Sequence, residues 1–457
     1  MEPLRVCINT QTPLLQFPPS GGQPRPLWTV ERDFAKLHAG VDYQFSPGGV
    51  TRMIYPLARR LLSEGVWKEV HWVSLNPNAP EAVEMPGITL HNVSIDRDRM
   101  GGYGKVKETI WTTVHGLNGP RLSADLFWTE DYGEYTYYNR TTAELIRRLD
   151  ESFDFDLFYI HDFQQLPIGH MLGTLKPKVF RWHIPFDAAR IPEQWRSVFS
   201  TYLQAYDVVI VSADRYRTAL RQFGHKGRIL RLYPFVDPAE YNRPPEEIVA
   251  QTVATKRIFP EDVVALVVAR MDPAKGQDRV IGALARVAKS FPRLKLVLAG
   301  NGSFSSSREG LGLSKSETWR QHLEERAREL GVSDRVVLTG HVTQHELDCL
   351  YERCAFTILP STFEGFGLVV VESWLHDRPA LVTDRAGIAE LIEDGENGLL
   401  FDPDDPASLV RQMRRVLRSE MTLVPRLVAG GRIAARRCTI DAAARAEARL
   451  VGEAVEA

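Results

Sequence analysis

The sequence predicts an α/β protein of two doubly wound domains, each with a parallel sheet between layers of helices. Short apolar, β-branched runs alternate with amphipathic helical patterns, which is typical of parallel strands buried on both faces. There are more of these runs than one compact open sheet usually carries. They cover residues 4–8, 69–74, 156–160, 178–182, 207–211, 263–269, 294–299, 335–338, 356–359 and 380–383.

A proline-rich stretch separates the runs into two groups. Between Pro234 and Pro260 the chain carries several helix and strand breakers, and apolar runs resume after it. We therefore predict a first Rossmann-like domain over residues 1–240 and a second over residues 255–430. The Ala- and Arg-rich end, residues 431–457, is helical by propensity. We expect it either to cap the second domain or to cross back to the first.

The composition argues against several classes of protein. The 457-residue chain is 44% hydrophobic and 25% charged, with 56 Lys and Arg against 58 Asp and Glu. A protein that binds a nucleic-acid polymer usually carries a basic excess, so no such partner is expected. The sequence contains no run of about 18 apolar residues and no signal-peptide pattern, so we expect a cytoplasmic protein without a membrane partner. The oligomeric state stays open.

Metal and disulfide chemistry are also not expected. The cysteines, Cys7, Cys349, Cys354 and Cys438, are too scattered for a disulfide framework or a zinc site. Asp-x-Asp pairs occur in the sequence, but further ligands do not lie near them. We therefore predict that the protein uses neither a metal ion nor a cofactor.

Polar side chains follow the carboxyl ends of several apolar runs. His161 and Asp162 follow one run, His183 follows the next, and Arg270 follows the first run of the second domain. In open α/β sheets, ligands bind outside these strand ends. We expect two such edges to face each other across a hinge and to form the cleft that holds the chemistry.

The most informative segment follows the ninth apolar run and reads PSTFEGFGLVVVE. A helix is predicted to begin near Gly367, and the amides of Leu368 and Val369 then lie at its N-terminus, where they can receive a diphosphate. Glu364 precedes this helix and Glu372 lies within it, and a carboxylate in a sugar-sized cleft can accept hydrogen bonds from paired hydroxyls. The alternative is an ordinary helix N-terminus with an acidic residue near its dipole.

This pattern of two glutamates resembles the retaining nucleotide-sugar glycosyltransferases of the GT-B fold, of family 4 type, and the resemblance extends over residues 263–420. It implies that Glu364 contacts the hydroxyls of the donor sugar and that Glu372 holds the ribose. It also implies that Arg270 and Lys275 bind the donor diphosphate. The residue types agree, since an Arg fork and a Lys point charge at a strand-to-helix turn suit a diphosphate leaving group. Taken singly, either residue could be ordinary surface charge.

The N-terminal half resembles trehalose-6-phosphate synthases over residues 135–190, in the segments YIHDFQQLP and RWHIPFD. The resemblance implies that His183 contacts the donor hexose near the reacting carbon and that Asp162 binds acceptor hydroxyls. The alternatives are a histidine satisfied by neighbouring backbone and an aspartate that caps a helix. Gly49 matches the glycine loop that faces the donor in the GT-B fold.

The acceptor site is where the sequence departs from these relatives. The cationic residues that trehalose-6-phosphate synthases use for the acceptor phosphate do not align. Arg308, in a serine-rich loop, either holds such a phosphate or belongs to a flexible surface loop. The loop over residues 10–26 resembles neither relative and is a candidate for shaping the acceptor pocket.

Together these features predict a metal-independent retaining hexosyltransferase that uses a nucleoside-diphosphate sugar as co-substrate. The expected acceptor is a small soluble carbohydrate, with a sugar phosphate such as glucose 6-phosphate first. The alternatives are a synthase that joins hexose to an unphosphorylated sugar or polyol, a phosphorylase, and a non-catalytic nucleotide-sugar sensor. The base (UDP, GDP or ADP) and the hexose stay open.

Overall fold

The computed structural model describes residues 2–18, 32–46, 48–116, 124–300, 311–419 and 421–455. The chain divides into two compact units, Met1–Tyr233 with Ala443–Ala457, and Pro234–Ala442. None of the helices in these described ranges combines the length and the apolar character that spanning a bilayer requires.

The sheet of the first unit is built from strands that are parallel except at one edge. Its strands are β1 Leu4–Thr10, β4 Trp67–Leu75, β5 Ala82–Met85, β6 Ile88–Val93, β7 Leu157–His161, β8 Lys178–Arg181, β9 Val208–Val211 and β10 Arg228–Arg231. Within the described residues their order is β10-β9-β8-β7-β1-β4-β6-β5, and β5 runs antiparallel to β6. A separate short antiparallel pair joins β2 Leu15–Gln16 and β3 Gln44–Phe45.

The helices of the first unit cover this sheet and complete its core. They are α1 Gly49–Ser63, α2 Arg97–Val114, α3 Glu130–Phe153, α4 Ile168–Leu172, α5 Arg196–Leu203, α6 Asp214–Phe223 and most of the chain's last helix, α14 Ile440–Val455. The long helix α3 begins at a threonine cap, because the side chain of Thr129 accepts a hydrogen bond from the amide of Tyr132. Its buried face presents Tyr135, Tyr138 and Ile146 to the core.

The second unit holds a sheet whose strands are all parallel. Its strands are β11 Val263–Val268, β12 Leu294–Ala299, β13 Val336–Gly340, β14 Phe356–Leu359, β15 Ala380–Thr383 and β16 Leu399–Phe401. In the described part of the chain their order is β13-β12-β11-β14-β15-β16. Its helices are α7 Glu246–Ala254, α8 Gln277–Val287, α9 Leu311–Glu329, α10 Gln344–Arg353, α11 Leu368–Leu375, α12 Pro406–Arg418 and α13 Leu423–Ala435.

Each sheet reverses its direction of growth at one place. In the first unit the chain builds outward from β1 to one side and from β7 to the other, and β1 and β7 are neighbours. In the second unit the same reversal falls between β11 and β14. The loops at the carboxyl ends of the two central strands diverge at such a point and leave a crevice, which is where ligands bind in doubly wound folds.

The two-domain α/β prediction is confirmed, and each predicted apolar run forms a strand. The segment between Pro234 and Pro260, which was predicted as a linker, contains the helix α7, and this helix belongs to the second unit. Val249 and Val253, four residues apart on α7, are buried in the core of that unit and fix the helix there. Four strands of the two sheets were not predicted, β5, β6, β10 and β16, because they are short or carry polar residues among few apolar ones.

Candidate active site

Lys275 and Glu364 meet at the reversal point of the second sheet. Lys275 follows β11 and Glu364 follows β14, the neighbouring strand. The Lys275 ammonium donates a hydrogen bond of 2.6 Å to Oε2 of Glu364, and the Ser361 hydroxyl donates one of 3.0 Å to the same oxygen. Both charged side chains are largely buried, with 18% and 19% of their area exposed. A cation and a carboxylate are thus held together at the edge where a ligand is expected.

The two loops that carry this pair are joined through their backbones. The Asp272 side chain accepts a hydrogen bond of 2.9 Å from the Ala274 amide and shapes the turn that ends at Lys275. The Ala274 carbonyl accepts a bond of 3.0 Å from the Thr362 amide in the second loop. Gly276 has a φ of +67°, and a Cβ atom there would lie 2.4 Å from the Pro360 carbonyl oxygen. Only glycine allows this close approach.

Arg270 lies at the same edge, immediately beyond β11, and is half-buried. Its carbonyl oxygen accepts a hydrogen bond of 2.7 Å from Nε2 of Gln277, whose Oε1 accepts one of 3.0 Å from the Trp319 indole. Gln277 is buried and fixes the backbone that carries Arg270. Gln277 was not predicted from the sequence, although its place at the start of α8, just after Lys275, was a signal for it.

The helix α11 begins at this edge, as predicted for the segment around Gly367. Gly367 has a φ of +108°, and a Cβ atom there would lie 2.5 Å from Cδ2 of Leu359. The amides of Leu368 and Val369 lie in the first turn of the helix, ahead of any carbonyl that could accept from them within the helix. These donors and the helix dipole suit an anion. The diphosphate contact of Gly367, Leu368 and Val369 stays a prediction.

Glu372 is held by two tyrosines that were not predicted from the sequence. The Tyr351 hydroxyl donates a hydrogen bond of 2.7 Å to Oε2 of Glu372, and the Tyr241 hydroxyl donates one of 3.2 Å to Oε1. The Tyr351 ring stacks on buried His376, with ring centroids 4.9 Å apart, and His376 Nδ1 lies 2.9 Å from Oε1 of Glu352. These two hydrogen bonds fix the orientation of the carboxylate that is predicted to contact the ribose.

The first unit carries a histidine pair at its own reversal point. His161 is the last residue of β7, and His183 lies just beyond β8. Nδ1 of His161 and Nε2 of His183 lie 3.0 Å apart, within hydrogen-bond distance. Burial lowers the pKa of both imidazoles well below the ordinary value, and the nearby Arg181 guanidinium lowers it further. Both rings are therefore neutral at pH 7, and one donates to the other.

Asp162 adopts a backbone conformation that favours glycine. Its φ is 68° and its ψ is 167°, and non-glycine residues in this region are strained and concentrate at functional sites. The side chain is 7% exposed, and its Oδ1 accepts a hydrogen bond of 3.4 Å from the His183 amide. Burial raises the pKa of this carboxyl to about 7. The bond to His183 differs from a helix cap, which would use an amide two or three residues ahead.

The remaining predicted residues are placed as follows. Gly49 is exposed at the start of α1, and no described atom lies within 4 Å of where its Cβ would stand. Arg308 lies outside the described residues, so its phosphate role stays a prediction. Within the described ranges, no group of three His, Cys, Asp or Glu side chains is arranged to hold a metal ion.

Comparisons with known proteins match two parts of the chain to glycosyltransferase families. Residues 251–432 match the family model "Glycosyl transferases group 1", and residues 112–218 match "Trehalose synthase, N-terminal domain". The chain is 32% identical over 198 residues to a D-inositol 3-phosphate glycosyltransferase of Streptomyces bingchenggensis, which is 43% of this chain and 42% of that relative. It is 27% identical over 271 residues to a trehalose synthase of Thermococcus litoralis, with 58% and 61% covered.

Solved structures share the whole fold. An α,α-trehalose-phosphate synthase (UDP-forming) from Burkholderia vietnamiensis superposes with a TM-score of 0.74 at 17% identity, covering 100% of this chain and 98% of that one. A sucrose-phosphate synthase from Thermosynechococcus elongatus gives 0.69 at 17% identity, with 98% of each chain covered. The architecture of the chain is that of the GT-B fold class, and its residues 251–432 match a glycosyltransferase family model. Within that class its architecture is similar to that of trehalose-phosphate and sucrose-phosphate synthases.

Proposed function

We propose that the protein is a metal-independent retaining hexosyltransferase that moves a hexose from a nucleoside-diphosphate sugar to a small carbohydrate acceptor. A sugar phosphate, glucose 6-phosphate first, is the proposed acceptor. The observation that carries the proposal is the pair of Lys275 and Glu364, 2.6 Å apart beside the N-terminus of α11. One member suits a diphosphate and the other suits sugar hydroxyls, which are the two parts of such a donor.

The donor is proposed to bind to the second unit. Arg270, Lys275 and the amides of Leu368 and Val369 neutralise the charge that develops on the departing diphosphate. Lys275 turns from Glu364 toward the phosphate when the donor binds, and the Glu364 carboxylate then accepts hydrogen bonds from the hexose hydroxyls. Glu372 accepts from the ribose hydroxyls.

The first unit is proposed to supply the acceptor site and the group near the reacting carbon. The acceptor hydroxyl attacks the anomeric carbon from the side of the leaving group, and its proton passes to a diphosphate oxygen as the old bond breaks. Asp162 orients the acceptor hydroxyls. His183 contacts the hexose as a neutral hydrogen-bonding group, which the low pKa of its ring permits. Exclusion of water protects the donor from hydrolysis.

A second candidate differs only in the acceptor. The model that matches residues 112–218 describes a trehalose synthase domain, and the Thermococcus litoralis relative carries the same name. These names favour an unphosphorylated sugar such as glucose. A relative named mannosylfructose-phosphate synthase and the structural relatives named trehalose-phosphate synthases favour a phosphorylated one.

The test follows nucleotide release and product mass with UDP-, GDP- and ADP-hexoses as donors. Each donor is incubated alone, with glucose 6-phosphate and with glucose, and the product's anomeric configuration is read by NMR. Release that requires glucose 6-phosphate and yields a phosphorylated disaccharide with the donor's configuration supports the proposal. Release that requires glucose supports the second candidate.

Other outcomes reject the transferase. Tight donor binding without turnover indicates a nucleotide-sugar sensor. Cleavage of a disaccharide by free phosphate to a sugar 1-phosphate and a free sugar, without nucleotide, indicates a phosphorylase. Lys275→Met should lower kcat by about a hundredfold or more, and Lys289→Met, at an exposed position in the same unit, is the matched control.

A further inference from the structure

A buried polar patch lies beneath the histidine pair of the first unit. Tyr159 and His161 are two residues apart on β7 and therefore point to the same face of the sheet. His161 is paired in register with Arg181 of the neighbouring strand β8, which places Arg181 on that face as well. The Arg181 guanidinium donates a hydrogen bond of 3.3 Å to the Tyr159 hydroxyl, and the Tyr159 ring packs 4.4 Å from the His161 ring.

The last helix of the chain adds the countercharge to this patch. Glu447 of α14 is completely buried, and its Oε2 lies 3.5 Å from Nη1 of Arg181. The side chains of Arg181 and Glu447 are 3% and 1% exposed, so both charges lie in the protein interior. Such a pair is far more sensitive to the loss of one partner than a surface ion pair, because the remaining charge is left without compensation.

The geometry of this pair is not that of an interaction optimised for stability. Among the described residues, Nη2 of Arg181 has no hydrogen-bond partner, and the interaction of the Glu447 carboxylate with the Tyr159 hydroxyl does not offset the burial that raises the carboxyl's pKa. Buried charges cost stability unless close contacts and further hydrogen bonds compensate them. An apolar pair at these positions would fill the same interior at lower cost, so a functional role is the better explanation for the charges.

The position of Arg181 connects it to the residues of the proposed active site. Its carbonyl accepts a hydrogen bond of 2.8 Å from the Asp162 amide, and its charge lowers the pKa of His161 and of His183. The ionisable groups that face the pair are Tyr159, His161 and Asp162 from β7 and its loop, Arg181 and His183 from β8 and its loop, and Glu447 from α14. Of these groups, only Glu447 lies on α14.

We propose that Glu447 is a positioning residue that acts through Arg181 on the His161–His183 pair. The last helix of the chain then takes part in the proposed transfer, because its carboxylate holds the guanidinium beside the histidines and thereby helps to fix the strand end from which His183 extends. This inference rests on the proposed contact between His183 and the donor hexose.

The test compares Glu447→Gln with Glu453→Gln as the matched control. Glu453 lies on the same helix and pairs with Arg228 in the same unit, but at the surface. In Glu447→Gln we expect kcat for hexose transfer to fall by about tenfold to a hundredfold, as small misplacements of a reacting group do. The dissociation constant for the nucleoside diphosphate should stay within about twofold, since its proposed site is in the other unit. The control should match the wild type in both.

A charge-free double variant, Arg181→Met with Glu447→Leu, separates positioning from stability. Its Tm should equal or exceed that of Glu447→Gln, because no unpaired charge remains, while its kcat stays low. Without the guanidinium, the pKa of the histidines should rise, although burial still holds it below the ordinary value. The rate of the double variant should therefore begin to decline at a higher pH than that of the wild type, and ¹⁵N NMR should show the histidine nitrogens titrating with it.

Three results overturn the proposal. They are a kcat that recovers together with Tm in the double variant, a Glu447→Gln variant that behaves like Glu453→Gln, and histidine titrations that do not change. If the wild-type protein transfers no hexose, the proposed function fails, yet the NMR titrations still decide whether Glu447 and Arg181 control the histidine pair. Should Glu447→Gln not fold, the double variant and the conservative Tyr159→Phe provide the same readouts.

Discussion

Replacing Gly276 by alanine should separate the two loops that hold Lys275 against Glu364. The new Cβ atom would lie 2.4 Å from the Pro360 carbonyl oxygen, in a backbone with a φ of +67°. Gly331 offers a matched control in the same unit, because its φ is also +67° and no described atom lies within 4 Å of its Cβ position. Both variants carry the same backbone strain, and only one of them carries the clash.

The two contributions have different sizes. Alanine in the left-handed region costs about 1 kcal/mol, and both variants should lose this much stability. The clash at Gly276 adds about 1–3 kcal/mol, the usual cost of overpacking. Relief of the clash requires the loops to move apart by at least about 0.6 Å, since Cβ contacts below 3.0 Å are essentially never seen. A displacement of that order at a catalytic group lowers kcat by about tenfold to a hundredfold.

Calorimetry and nucleotide-release kinetics measure the two effects separately. Gly276→Ala should lower both Tm and kcat, whereas Gly331→Ala should lower Tm slightly and leave kcat unchanged. Equal losses of Tm in the two variants would refute the steric argument. Full activity in Gly276→Ala, together with the expected loss of Tm, would show that the loop contact is not needed for the placement of Lys275.

Four further predictions concern charge, backbone strain and pH. Lys275→Met should lower kcat by about a hundredfold or more, because it removes the cation that neutralises the departing diphosphate. Steady-state kinetics measure this loss. Asp162→Gly should raise Tm by relieving backbone strain worth about 1–3 kcal/mol, while acceptor use is lost. The pKa of the Asp162 carboxyl is about 7, against about 3.9 when unfolded, so its burial should lower stability progressively as pH rises from about 4 to about 7. His91 lies on β6, with its Nε2 2.9 Å from Nδ1 of His71, and burial lowers its pKa to about 4. Because an unfolded histidine titrates at about 6.5, the protein should lose stability as pH falls from about 6.5 to about 4.

Thermal melts across pH check both titrations, with opposite signs expected. The Tm advantage of Asp162→Asn over the wild type should grow between pH 4 and 7. The Tm advantage of a His91→Gln variant should instead grow as pH falls below about 6.5. Parallel Tm curves for wild type and variant would contradict either assignment, an unchanged kcat in Lys275→Met would remove the leaving-group role, and a lower Tm in Asp162→Gly would refute the strain.

Short-range patterns in the sequence predicted most of the strands and the two-domain α/β architecture. Buried parallel strands need continuous apolar runs. Glycines at turns such as Gly276 and Gly367 mark places where the backbone adopts a positive φ, which other residues rarely adopt. The strands β10 and β16 were not predicted because they are short. Their extended conformation is stabilised by pairing with the neighbouring strands β9 and β15, which the local sequence does not indicate. The segment before α11 was likewise readable, because the residue types that bind a diphosphate follow one another along the chain.

Tertiary structure alone decided which distant side chains meet. Arg181 reads as one residue of a short strand and Glu447 as one acid in an Ala- and Arg-rich helix, yet folding places them 3.5 Å apart in the interior. The hydrogen bonds that Glu372 accepts from Tyr241 and Tyr351 arose in the same way. The strand pattern of one sequence specifies which face of each element is buried. It does not specify which polar groups on those faces will be neighbours, because that depends on strand order and on how the helices pack over the sheet.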